Sequence, residues 1–248
     1  MLPDEKQKKI DVKSCIDRIE NEICRQMLKP LGFRKHGRTL HRFVSGDISQ
    51  VVGFQCGESY REETHLMWVP IGIRVPECVE WTFEPQNPKK FYHEWDCNMR
   101  TTLGVTDQEE LAARANNLCV PKGTTYDLRN DLDGIIEDIS GKINQDVIPA
   151  LDVLSSREAI LAHRREYPRY DILFSRMILL QEAMIYGRNH EIDKAKELFE
   201  AYCRETEEEG RHPIVLGGKL IDRSDTIARH LEIMDELARK LGLREPKK

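Results

Sequence analysis

The sequence predicts an α+β fold: an N-terminal helix on a small, mainly antiparallel sheet, followed by a helical C-terminal part. Three patterns carry this expectation. Val12, Ile16, Ile19, Ile23 and Met27 recur at spacings of four, three, four and four, which is one helix face. Three runs within residues 39–75 place apolar residues on one face with a period of two. From Asp131 onward the period returns to that of a helix.

The first helix is expected over about Asp11–Lys29, stopped by Pro30 and Gly32. Thr39–Val44 and Ile48–Cys56 read as two strands. Ser45-Gly46-Asp47 between them reads as a three-residue hairpin loop, with Gly46 available for positive φ. Leu66–Val75 reads as a third strand with Val69, Ile71, Ile73 and Val75 on one face, and Pro70 argues for an edge position or a bulge. Four prolines and five aromatic residues (Trp81, Phe83, Phe91, Tyr92, Trp95) punctuate residues 76–123, so loops and short elements are expected there. Within or after them come a strand at Met99–Val105, a short helix at Asp107–Asn117 and a last strand at Thr124–Leu128.

Leu132, Ile135, Ile136, Ile139, Ile143, Val147, Leu151 and Leu154 form a long apolar stripe, which Gly141 and Pro149 should bend or split. Further helices are expected over Tyr170–Tyr186 and Ile192–Cys203. A last one should follow Ser224 as N-cap and end at Gly242, after a loop at Gly210–Gly218. Gly187, Ala195 and Phe199 resemble a single tetratricopeptide-like hairpin. No second copy is present, so an ordinary antiparallel helix pair is expected. The division falls between residues 1–155, mixed, and 156–248, helical.

Composition narrows the class. The chain has 248 residues, 33% of them charged, with a formal charge of −5. It is long enough to bury a core. No window approaches 18 consecutive apolar residues, and residues 1–9 lack the apolar stretch of a secretory signal. A cytoplasmic protein without a membrane span is expected. The seven cysteines are odd in number and widely spaced, so they read as reduced thiols.

Residues 28–57, LKPLGFRKHGRTLHRFVSGDISQVVGFQCG, carry a resemblance to a known family. Leu31, Gly32, Phe33, Lys35, Gly37, Arg38 and Thr39 match an LGF-x-K-x-G-R-T segment, with Leu40 in place of an aromatic residue. Gln55 matches a strand that ends in Gln. Met67–Val75 is similar to the next strand, keeping Gly72 but with Pro70 where Asn is common. Cys97–Arg100 with Thr101–Gly104 is similar to a C-x-x-R-x-x-x-G segment. On these residues the chain resembles bacterial family 4304 of domains of unknown function, over roughly residues 10–150. The resemblance implies an α+β fold and supplies no catalytic residue.

Several candidate chemistries follow from the residues. Gly32 to Thr39 spells G-x-x-x-x-G-R-T, a near-miss of a phosphate-binding loop. It lacks the lysine that reaches the phosphates, and a helix precedes it where a strand should. Between Ile23 and Gly46 lie Arg25, Lys29, Arg34, Lys35, Arg38 and Arg42, with His36 and His41 and no acid: +6, leaving −11 for the rest. Arg34, Lys35, Arg38 and Arg42 are the candidate anion- or partner-binding residues. Nucleic acid is not the expected partner, because the window lacks interleaved aromatic residues. The bland alternative is a solvated hairpin edge.

Cys78, His93 and Cys97 are the possible metal donors, but no recognised spacing joins them, so no metal or other cofactor is expected. Nucleophile signatures are absent, apart from chance pairings such as Cys97 with His65 or His93. The residues from Trp81 to Trp95 either pin a small satellite core, the favoured expectation, or line a groove.

The resulting expectation is a non-enzymatic macromolecule-binding module, immunity-like or accessory, with a protein partner. The alternative is an enzyme on a phosphate-bearing substrate, with Arg34, Lys35, Arg38 and Arg42 holding the anion and His36 or His41 moving protons. A pure scaffold built on residues 160–248 is a third possibility. Strand periodicity sets Leu40, Arg42 and Val44 on one face and Thr39, His41 and Phe43 on the other.

Overall fold

Thr39–Val44 (β2) and Ile48–Gly53 (β3) form the expected hairpin in the computed structural model. The structure describes residues 11–57, 65–85, 87–109, 123–170, 175–211, 214–216 and 219–245. The loop between the two strands turns through Ser45 at φ 46° and Gly46 at φ 86°. A short strand that periodicity did not reveal, Arg34–His36 (β1), pairs with β2 across Gly37-Arg38. The near-miss phosphate loop is therefore a β-hairpin.

The chain contains two units, residues 1–74 with 89–172 and residues 75–88 with 173–248. In the first, β1, β2, β3, Pro70–Arg74 (β6) and Met99–Thr102 (β7) make a five-stranded antiparallel sheet in that order. A second sheet pairs Gln55–Cys56 (β4), Leu66–Trp68 (β5) and Tyr126–Asp127 (β8). The chain leaves the large sheet at Phe54 and re-enters it after Val69, both fully buried. Pro70 starts an interior strand just after that break. The expected edge position is thus corrected: a proline is tolerated here because it opens the strand.

Helices cover one face. Val12–Ile23 (α1) buries Ile16, Ile19 and Ile23, each ~1.5–3 kcal/mol of apolar transfer. Residues Cys24–Leu28 continue it as a π-helix. The wider turn shifts the buried position from Met27, as the stripe predicted, to Leu28. The same device splits the long helix. Leu132–Lys142 (α2) and Ile148–Val153 (α3) flank a π-segment, Ile143–Val147, directly before Pro149. Pro149 has no N–H to donate, so the ladder widens ahead of it. Ile139, Ile143, Val147, Leu151 and Leu154 remain buried throughout.

Gln50 ties α3 to the sheet: its amide donates to the Leu151 carbonyl and, at 3.4 Å, to that of Leu154. Arg157, which opens the helix Arg157–His163 (α4), grips Asp47 of the hairpin loop with two bonds of 2.9 and 3.1 Å.

The second unit is mostly helical. Ser175–Arg188 (α5) and Ile192–Gly210 (α6) pack as a pair, and Ser224–Lys240 (α7) packs on α6. Phe83 packs so close to α5 that a Cβ at Gly187 would lie 2.0 Å from its ring. Ser224 is the first helical residue, not the N-cap; the Asp222 carboxylate accepts its N–H at 2.9 Å. Part of the loop expected at Gly210–Gly218 is the first strand of a hairpin, Ile214–Leu216 with Lys219–Ile221. Most of the helix expected at Asp107–Asn117 lies outside the described residues. Among the described residues no helix is long and apolar enough to cross a membrane, and the six described cysteines are free thiols.

One close approach fixes the other face of the large sheet. A Cβ on Gly72 would lie 2.6 Å from the Cys97 sulfur. Gly72→Ala should lower stability by ~1–3 kcal/mol, read from the urea midpoint. An unchanged midpoint would mean that the segment carrying Cys97 is not seated on the sheet.

Candidate functional site

The sheet sorts the basic window onto two faces. Register pairs Arg34 with His41 and His36 with Thr39, so these four share one face. Lys35 and Arg42 point to the helical face. Lys35 Nζ lies 2.7 Å from Asn21 Oδ1 and 3.3 Å from the buried Glu20 carboxylate. Arg42 is used up internally. It donates to Gln50 at 2.8 Å, to the Leu31 carbonyl at 3.1 Å and to Asp152 at 2.6 Å, and lies over the Phe33 ring. Arg38 is half-buried, with a nitrogen 3.2 Å from the Cys56 sulfur. Only Arg34 of the four is exposed on the helix-free face.

Residues 89–98 form a strap across that face. Its apolar underside seats Tyr92 and Cys97 against Val51. Cys97 is 5% exposed, and burial pushes its thiol well above the usual range, with Asp96 and Glu94 adding to the effect. A neutral buried thiol is a poor nucleophile. The Glu94–Asp96 turn is 3₁₀ and follows an extended His93, so His93 and Cys97 are not on one α-helical face; the Cys97 thiol donates to the His93 carbonyl at 3.5 Å. Cys78 lies in the second unit, its thiol on the Gln181 carbonyl. Among the described residues no group of three or more His, Cys, Asp or Glu is placed to hold a metal ion.

The strap's two acids are both hydrogen-bonded within the protein. Asp96 accepts the His93 N–H at 2.9 Å. Glu94 is buried beside Gly53, and its carboxylate accepts the Gln55 amide N–H. Gln55 in turn accepts from the Trp68 indole at 3.1 Å. Burial raises the Glu94 carboxyl above its ordinary range. His93 closes the cluster through a 3.0 Å bond between its Nδ1 and the Thr39 hydroxyl.

The strap's rings face outward in series. His36 stacks on Phe91 at 3.5 Å, Phe91 meets His93 edge-on at 5.0 Å, and His93 stacks on Trp95 at 4.0 Å. Phe43 flanks the series through Tyr92 and His41. Trp95 is 59% exposed and Phe43 37%. Tyr92, packed with Val51 and Cys97, and Trp81 and Phe83, packed on the core of the second unit, meet the expectation of a satellite core, whereas Trp95 does not. His41 is buried under these rings, its Nδ1 without a hydrogen-bond partner among the described residues. Burial, with Arg34 and His36 nearby, holds its imidazole below the usual range and so neutral at pH 7.

This geometry defines a small α+β domain with one helix-covered face and one strapped face. The chain belongs to a family described as a domain of unknown function (DUF4304), whose model matches residues 24–153. No curated protein and no solved structure matches it. The residues that carry the family resemblance converge here: Thr39 holds His93, Gln55 holds Glu94, and Gly72 seats Cys97. Sequence reasoning missed the site because its rings come from residues 36–43 and 91–95, far apart in the chain.

Two measurements check this division. Arg42→Ala should cost ~2–3 kcal/mol of unfolding free energy, since it removes three hydrogen bonds around a largely buried guanidinium, and Arg34→Ala less than ~0.5 kcal/mol; equal losses would refute the sorting by face. Glu94 gives a pH test. A raised carboxyl stabilises the fold fully below its unfolded pKa, and that contribution is lost as pH rises through the folded value. Wild type should therefore lose urea resistance relative to Glu94→Gln between pH 4 and pH 8, whereas a constant difference would mean an ordinary carboxylate.

Proposed function

We propose that this protein is a cytoplasmic, non-enzymatic module, immunity-like or accessory, that binds an anionic macromolecule through its strapped face. The observation that carries this reading is the exposure of Trp95, 59%, at the outer end of a ring series. A tryptophan presented to solvent on a rigid support is the usual anchor of an interface. Arg34 pairs in register with His41, Lys89 lies over the Tyr92 ring and Lys90 precedes Phe91, all three exposed, while Glu94 is buried. The face therefore offers apolar contact within a positive field, although the chain as a whole is acidic.

An enzyme acting on a phosphate-bearing substrate finds less support. It would use Arg34, Lys35, Arg38 and Arg42 together, yet Lys35 and Arg42 sit on the helical side in internal bonds.

Site-specific photo-crosslinking in the producing cell tests the proposal. Trp95→p-benzoylphenylalanine should yield a covalent adduct of higher mass, and the same probe at the exposed, helix-side Glu137 should not. No adduct at position 95, or equal adducts at both positions, would overturn it.

A further inference from the structure

We infer that the strapped face binds single-stranded nucleic acid, with bases stacking on Trp95 and the backbone following Arg34, Lys89 and Lys90. This rests on the reading of that face as the contact surface and names its partner. The basic window by itself lacked aromatic residues. The fold supplies them: the strap lays Phe91, His93 and Trp95 beside His36, and Phe43 flanks them.

Base-stacking platforms need open ring faces and cations within reach of the backbone. One ring face of Trp95 lies on His93 with an interplanar angle of 19°, and the residue is still 59% exposed. A base would extend the same stack by one ring. Arg34, Lys89 and Lys90 are exposed on the strand and strap segments that carry the rings. Of the strap's own acids Glu94 is buried, and Asp96, half-buried, caps the turn on the His93 N–H.

His41 lies beneath the rings, 4% exposed, between Phe43 and Phe91, and supports them from below. An acidic protein surface would also meet the cations and pack on the tryptophan; a nucleic-acid base matches in addition the face-to-face stacking that His93 already makes with Trp95.

Fluorescence anisotropy of the full chain with a labelled single strand of about 15 nucleotides, as DNA and as RNA, tests the inference. Binding should weaken about tenfold or more with Trp95→Ala and similarly with Arg34→Glu, and should fall steeply as salt rises. Arg25→Glu removes the same charge on the helical side and should match wild type. Duplex of the same sequence should bind more weakly, because its bases are already stacked. A preference between DNA and RNA would separate the two sources.

The variants are exposed positions, and unchanged circular dichroism confirms their folding. Absence of binding, or binding that Trp95→Ala leaves intact, overturns the inference. Polyglutamate binding that depends on Arg34 but not on Trp95 assigns the face to an acidic protein instead. A protein adduct at position 95 without oligonucleotide binding would refute this inference and leave the proposed function standing. Loss of both would refute both.

Discussion

The contact of Cys97 with Gly72 is the constraint on which the strapped face depends. A side chain at residue 72 would occupy the space of the Cys97 sulfur. With none there, residues 89–98 lie directly on the sheet, and Tyr92 and Cys97 close over Val51. That seating settles the rest of the strap. Glu94 is carried down beside Gly53 to meet Gln55, and His93 reaches Thr39. What remains outside is the ring series ending in Trp95. The apolar contact below and the polar bonds at the margin hold one short irregular segment without regular secondary structure of its own length.

The two faces of the sheet differ in what they do with charge. On the helical face, cations are consumed as structure: Arg42 joins β2 to α3, and Lys35 answers the buried Glu20. Their desolvation is offset by several partners each. On the strapped face Glu94 is buried and Arg74 packs over the Tyr92 ring, while Arg34, Lys89 and Lys90 stay exposed. Glu94 is held towards its neutral form by burial, and Asp96 caps the turn. An acidic protein thereby presents a locally positive surface. Net charge predicts solubility and long-range repulsion, but the field at a face depends on which charges are turned inward.

Both π-segments show how local geometry and tertiary packing negotiate. In α1 the wider turn moves Leu28 into the position that a regular helix would give to Met27. In the second helical run, the π-segment absorbs the missing N–H of Pro149 and keeps Val147 and Leu151 buried. The apolar stripe is preserved in each case, while the hydrogen-bond ladder yields. Burying several large side chains outweighs the poorer geometry of one turn.

By itself the sequence determined the α+β class, the β2–β3 hairpin and the split of the long helix near Gly141 and Pro149. Those features follow from periodicity, glycine and proline, which act over a few residues. Alternation along β2 also separated Arg42 from His41 correctly. Only the tertiary structure decided which of those two faces would be covered by helices and which by the strap. The three-residue β1 was too short to show a period, and the withdrawal of Glu94 depends on Gln55, 39 residues away. The stacking of His36 on Phe91 joins positions that no local rule relates. Pattern along a chain specifies which side chains share a face. Which faces meet is settled by burial across the whole fold.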